Sequence, residues 1–168
     1  MTDTRTIDIR PTLEADLAPL RALIVETWHA TYDATMGADR VTAITNDWHS
    51  LERLAREIDH PKAISLIATE GDRLLGHALL TNLGQQDVQL ARLYVNPTAQ
   101  HGGIGTSLLN ATLNQTDGAT SMSLEVEEAN SKARDFYAKH GFKQIERHSN
   151  CGNQDGIPTL ILRKLLSL

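Results

Sequence analysis

The stretch "DVQLARLYVNPTAQHGGIGTSLLNATL" (87–113) constrains the fold more than any other part of the chain. Residues 87–95 are largely apolar and are closed by Asn96-Pro97, which reads as a strand. Glycines at 102, 103 and 105 follow, and a helix is predicted from about Gly103 to Asn114 with Ile104, Leu108 and Ala111 on one face. A glycine-rich turn between strand and helix aims several backbone N–H groups at one spot. The helix dipole adds positive character there, so an anion such as phosphate is favoured.

Two common phosphate loops do not fit. A Walker loop ends in Gly-Lys-Ser/Thr, whereas Gly105 is followed by Thr106 and Ser107 with no lysine, which disfavours a nucleoside triphosphatase. The dinucleotide fingerprint needs a further glycine where this chain has Leu108, and no parallel-strand unit precedes the loop. The remaining pattern is Gln/Arg-x-x-Gly-x-Gly/Ala after a strand ending apolar-x-Val-x-Pro, and "LYVNPTAQHGGIG" follows it throughout.

Around this unit the chain alternates between strand and helix signals. "TIDIR" (6–10) opens as a strand ending at Pro11, and Asp16 is placed to cap a helix carrying Leu20, Leu23, Ile24 and Trp28, with Tyr32 one turn further on. A second helix is predicted from about Asp39 to Asp59, stopping before Pro61. "ISLIATE" and "LLGHALLT" flank Gly71-Asp72-Arg73 as a hairpin, and "TSMSLEVE" (120–127) is another alternating strand. "NSKARDFYAKHGF" reads as a helix capped by Asn130 and stopped by Gly141, with closing strands near 142–148 and 157–163. The order β-α-α-β-β-β-α-β-α-β-β predicts an α/β (α+β) fold, one mixed, mostly antiparallel sheet of about seven strands with helices on both faces.

Bulk properties narrow the partners. A chain of 168 residues without repeats, low-complexity tracts or linker-like breaks is expected to form a single domain, 1–168. A net charge of −5 opposes nucleic acid as the main partner, and two Phe, two Trp and three Tyr are too few for a base-stacking platform. No apolar run approaches a membrane span of about 20 residues, and the start "MTDTRTIDIRP" does not resemble a signal peptide. The single cysteine, Cys151, cannot staple the fold and suits a reducing cytoplasm; its polar surroundings "HSNCGNQDG" give it no catalytic setting.

Two motifs in the right order carry a resemblance: the glycine loop, and downstream Asn-x-x-Ala-x-x-Phe-Tyr-x-x-x-Gly-Phe in "NSKARDFYAKHGF". In both, the chain resembles the GCN5-related N-acetyltransferase (GNAT) superfamily. The motifs lie within 87–142, and the element order extends the likeness to nearly the whole chain. The resemblance implies a GNAT fold, acetyl-coenzyme A as donor and an amine-bearing acceptor. It implies that amides of Gln100, His101, Gly102, Gly103, Ile104, Gly105 and Thr106 wrap the pyrophosphate. Leu93, Tyr94 and Val95 would offer their backbone to the pantetheine, between strands 87–95 and 120–127 splayed apart to admit it. Asn130 would add a side-chain hydrogen bond to the pantetheine, besides contributing about 1 kcal/mol as a helix cap. Homodimers are common in the family, and the sequence fixes no interface.

Acetyl transfer to an amine needs a neutral amine, a polarised thioester carbonyl and a proton for the departing thiolate. A phenol, with an ordinary pKa of about 10, stays protonated at neutral pH and can supply that proton. The resemblance puts Tyr137 in this role; against it, Ala133, Phe136, Tyr137 and His140 also form a helical core stripe. The base is open. Where the histone-acetylating branch has a glutamate, this chain has Gln89, which cannot accept a proton. A water relay, Asp33, Glu70 or Glu125 are the alternatives.

Seven histidines invite a metal reading. His29 with Asp33 and His49 with Arg53 stand at i, i+4, but neither pair gathers a third ligand, so no metal is expected. His101 either adds a charge-assisted contact to phosphate or fills the loop. Trp28 and Tyr32 form an amphipathic face that is core or, by the resemblance, part of the acceptor wall together with Asp33. The expectation is a cytoplasmic acetyltransferase acting on a primary amine of a small molecule. A protein N-terminal or lysine acetyltransferase and a non-catalytic coenzyme-binding module are the alternatives.

Overall fold

A computed structural model describes residues 6–99, 102–149 and 157–166. Seven strands form one sheet in the order β1-β2-β3-β4-β5-β7-β6: β1 (Asp8–Pro11), β2 (Ile64–Glu70), β3 (Arg73–Thr81), β4 (Asp87–Val95), β5 (Ser121–Glu127), β6 (Lys143–His148) and β7 (Thr159–Leu165). The helices are α1 (Leu17–Met36), α2 (Ala38–Trp48), α3 (Leu51–Asp59), α4 (Ile104–Leu113) and α5 (Ser131–Lys139). The mixed, mostly antiparallel sheet agrees with the sequence reading. No described helix is long and apolar enough to cross a membrane. The described backbone gathers into two compact units, one drawn from within residues 1–80 and 92–115, the other from within 81–91 and 116–168.

In the first unit, β1 and β3 flank β2 antiparallel, and the two-residue turn Gly71-Asp72 sets Glu70 opposite Arg73. Gly71 sits at φ +60°, a conformation that costs glycine little. Alternation along β2 sends Ile67 to one face and Leu66 and Ala68 to the other. Ile67 packs with Leu20, Ile24, Trp28, Val41, Ile44 and Leu54 from α1–α3. Leu66 and Ala68 pack with Ile104 and Leu108 of α4. Both faces of the strand are therefore covered, which is why its run is apolar almost throughout.

Two local expectations change. Asp16 precedes α1 but does not cap it. Its carboxylate accepts from the Arg10 guanidinium at 2.7 and 3.0 Å and from Leu13 N–H at 2.8 Å, and the Arg10 bonds hold it below the usual carboxylate pKa. The helix expected over 39–59 is two helices. Ser50 interrupts it with an extended backbone (ψ 155°) and accepts the Arg53 N–H at 3.3 Å, capping α3. The break turns the His49 side chain inward, where it is buried.

In the second unit, β5 and β6 flank β7 antiparallel. The β6–β7 register skips Ile145, a bulge that leaves this residue out of the ladder and 43% exposed. Asn130 caps α5 by accepting the Ala133 N–H at 3.2 Å, as the sequence predicts, and Gly141 ends the helix turn at φ +88°. Phe142 is buried just beyond, its ring 5.5 Å from that of Tyr137.

Candidate functional site

The end of β4 is built by short-range chemistry. Asn96 N–H donates to Leu75 O at 2.7 Å, and Asn96 Oδ1 accepts from both N–H and Oγ1 of Thr98, at 2.9 and 2.8 Å. Arg73 donates to Thr98 Oγ1 at 3.0 Å and braces the same turn against β3. The chain then enters α4 through Gly103 at φ +78°, a left-handed start that a side chain would strain. Among the described residues, a ladder bond at the start of α4 runs from Ser107 N to Gly103 O at 3.0 Å. The N–H groups of Ile104 and Gly105 lie in the first turn, at the positive end of α4. Gln100 and His101 lie outside the described residues.

Gly76 of β3, which sequence reasoning did not single out, sets how close α4 comes. A Cβ there would lie 2.8 Å from Leu108 Cδ1, 3.1 Å from Ile104 Cγ2 and 3.1 Å from the Tyr94 carbonyl oxygen. Leu93 and Val95 pack on this α4 side, whereas Tyr94 packs on the side of α1–α3.

Around Tyr94 the helical face becomes an aromatic wall. Trp28 Nε1–H donates to Tyr94 Oη at 3.0 Å, and the Trp28 ring lies 4.8 Å from Tyr32 and 5.7 Å from Trp48. Trp28 is buried while Tyr32, Trp48 and Tyr94 are half-buried, so the wall has an open aromatic edge. The sequence placed Trp28 and Tyr32 on one face; Trp48 and Tyr94 join them only in three dimensions. Asp33 Oδ1 stands 2.6 Å from His29 Nδ1, and His29 Nε2 stands 3.3 Å from Thr42 Oγ1 on α2. Among the described residues no group of three or more His, Cys, Asp or Glu side chains is arranged to hold a metal ion.

Beside the wall lies a buried polar row. Arg92, on the same face of β4 as Tyr94, is 6% exposed and ion-paired with Glu57 of α3. Its Nη1 lies 3.4 Å from His77 Nε2, and His77 Nδ1 lies 3.0 Å from Leu66 O. The carbonyl can only accept, so Nδ1 carries the hydrogen and Nε2 offers its lone pair to Arg92. Burial and the Arg92 charge push His77 down to a pKa of about 3. His49 is likewise lowered to about 3, by burial and then by Arg92, Arg21 and Arg53, and both of its ring nitrogens are without a partner. A charged residue on the otherwise apolar stripe Val88-Leu90-Arg92-Tyr94 is the sequence signal that could have found this row.

The second unit holds Tyr137 and Gln89. Tyr137 is buried, with its ring 5.3 Å from Phe136 and 5.5 Å from Phe142. Gln89 is half-buried opposite Ser123 in the parallel β4–β5 ladder, which comprises Asp87–Ser121, Val88–Met122 and Gln89–Ser123. Asp87 braces it by accepting from Ser121 Oγ at 2.5 Å and Ser123 Oγ at 2.8 Å, and Arg163 donates to Ser123 Oγ at 2.9 Å. Glu125 is exposed on β5.

A seven-stranded mixed sheet whose β4 and β5 pair in parallel over three residues, with a glycine-led helix between them in sequence, defines an α/β fold of the acyltransferase kind. The acetyltransferase (GNAT) domain matches residues 32–166, and the chain belongs to this family of N-acetyltransferases. It is 28% identical over 130 residues to an uncharacterized N-acetyltransferase of Mycobacterium tuberculosis, covering 76% of this chain and 83% of that one. It is 33% identical over 91 residues to the ribosomal protein bS18-alanine N-acetyltransferase of Haemophilus ducreyi, covering 53% and 62%. The solved PaiA N-acetyltransferase of Thermoplasma acidophilum, in complex with coenzyme A, shares its fold with a TM-score of 0.84 and 26% identity over 96% of this chain and 99% of that one.

Proposed function

We propose that the protein moves an acetyl group from acetyl-coenzyme A to a primary amine of a small molecule, by direct transfer in a ternary complex. The donor and the transfer in this reading are supported by the likeness, over 96% of the chain, to an N-acetyltransferase solved with coenzyme A. One N-acetyltransferase domain is the supported organisation, because the family match runs through both units.

The donor supplies an activated acyl group; the chain's residues bind, orient and move protons. Backbone amides from Gly102 to Thr106, with Gln100 and His101, hold the pyrophosphate, a role that the left-handed Gly103 and the α4 amino end suit. Leu93, Tyr94 and Val95 present backbone to the pantetheine, and the Asn130 side chain adds a hydrogen bond. Tyr137 gives its phenolic proton to the leaving thiolate as the amine nitrogen forms the new C–N bond and the C–S bond breaks. Trp28, Tyr32 and Asp33 line the acceptor side, where an aromatic edge suits the alkyl part of an amine and its cationic form. The single cysteine supports a reducing, cytoplasmic setting.

A second reading is supported by the Haemophilus relative: the acceptor is the terminal amine of a protein. A thiol-release assay on purified protein with polyamines, aminoglycosides, amino acids and alanine-initiated peptides decides between them. Release with small amines is expected; release with peptides alone overturns the small-molecule acceptor. Acetyl-coenzyme A binding without release on any acceptor overturns catalysis and leaves a coenzyme-binding module.

A further inference from the structure

The reaction requires a proton acceptor for the amine, and several described candidates are committed elsewhere. Gln89 is an amide. Glu57 is tied to Arg92, Asp16 to Arg10, and Asp87 to Ser121, Ser123 and Arg163. His77 is fully buried and donates to a backbone carbonyl, and His49 is buried among Trp28 and Trp48. His148 meets Glu146 on β6, where both side chains are more than half exposed and solvent screens the pair.

The His29 imidazole is oriented by a carboxylate on its own helix. His29 Nδ1 lies 2.6 Å from Asp33 Oδ1, one turn along α1. An ionised carboxylate only accepts, so Nδ1 carries the hydrogen and Nε2 presents its lone pair. Thr42 Oγ1, 3.3 Å from Nε2, donates to that lone pair in place of an acceptor N–H. The His29 side chain is 28% exposed and that of Asp33 41%, so the pair is partly open to solvent. The same turn of α1 is fastened to the end of β4 by Trp28 Nε1–H donating to Tyr94 Oη. Spacing alone marked this pair as a poor metal site; the hydrogen bonds give it the form of an oriented base.

We infer that His29 takes the proton from the acceptor amine through Nε2, and that Asp33 is its positioning residue. The assignment rests on the acetyltransferase reading above. The proton leaves the amine nitrogen as the C–N bond forms, His29 becomes imidazolium beside the Asp33 carboxylate, and water later returns the ring to neutrality. Asp33 fixes the tautomer and stabilises the imidazolium.

The test measures thiol release, acetyl-coenzyme A affinity and thermal midpoint on the full chain. For His29→Ala the expected result is a loss of kcat/KM of about 100-fold with acetyl-coenzyme A Kd within about twofold of wild type. Added imidazole should recover at least about tenfold of that loss, which a packing defect would not allow. Asp33→Asn keeps an acceptor for Nδ1–H but removes the charge, so it should lose about tenfold. Should the alanine variant unfold, His29→Gln keeps a polar side chain of similar reach, and the same loss is expected in a folded protein. Turnover within about threefold of wild type, or a loss that imidazole cannot rescue and that tracks a lowered thermal midpoint, overturns the assignment and leaves a clamp between α1 and α2. Wild-type protein that binds acetyl-coenzyme A yet acetylates no amine overturns the transferase reading itself, and this assignment with it.

Discussion

The indole N–H of Trp28 donates to the hydroxyl of Tyr94 across 3.0 Å, joining α1 to the end of β4. Trp28 is 5% exposed, so water does not readily replace a lost partner. Tyr94→Phe should therefore cost about 1–2 kcal/mol, read as a lower urea midpoint with an unchanged slope. If only the backbone of Tyr94 meets the coenzyme, acetyl-coenzyme A affinity stays at the wild-type value. An unaltered midpoint would show that the bond contributes nothing.

Arg92 and Glu57 make the most enclosed ion pair described, with the Arg92 side chain 6% exposed. Removing one partner strands a buried charge. Glu57→Ala should cost about 3–5 kcal/mol, and Glu57→Ala combined with Arg92→Met should cost less than that single change. Chemical denaturation of the two single variants and the double variant checks this; strict additivity would contradict it.

Stability should fall on the acid side of neutrality. His77 and His49 have folded pKa values of about 3 against an ordinary value of 6.5, so the unfolded chain binds more protons between these limits. Their contribution is fully present above about pH 6.5 and is lost as pH falls towards 3, at up to about 1.4 kcal/mol per pH unit for each histidine. His49→Phe removes two unpartnered ring nitrogens. It should leave stability at pH 7 equal or higher and flatten the acid slope in urea titrations between pH 7 and 4.5. A slope identical to wild type would remove His49 from the account.

Gly76→Ala places a Cβ against Ile104, Leu108 and the Tyr94 carbonyl. The flexible end of Leu108 can yield, but the carbonyl of β4 cannot easily do so. We expect about 1–2 kcal/mol of destabilisation together with weaker acetyl-coenzyme A binding, because α4 is pushed outward. Calorimetric binding on the folded variant separates the two effects; unchanged affinity would mean that the position of α4 does not govern coenzyme binding.

Tyr137→Phe keeps the ring contacts with Phe136 and Phe142 and removes only the hydroxyl. Turnover should fall at least about tenfold with acetyl-coenzyme A affinity intact. Unchanged turnover would exclude Tyr137 as the proton donor.

The sequence by itself determined the elements and the family. Strands 87–95 and 120–127, the Asn130 cap and the Gly141 stop depend on neighbours within a few residues, where period, capping and φ preference act directly. Even Ser50, which divides the predicted long helix, is a local device visible in hindsight. The tertiary structure alone decided which distant groups meet. His29 and Asp33 are four residues apart, yet only the arrival of Thr42 on α2 completes their hydrogen-bonded line. Arg92 finds Glu57 across 35 residues and His77 across 15, and Trp28 finds Tyr94 across 66. Gly76 has no local reason to be glycine; its reason is α4, which the packing of two apolar faces brings to within a methyl group's width. Local rules fix where the backbone turns, whereas burial of separate apolar faces brings distant polar groups together, and no pattern in the sequence encodes those meetings directly.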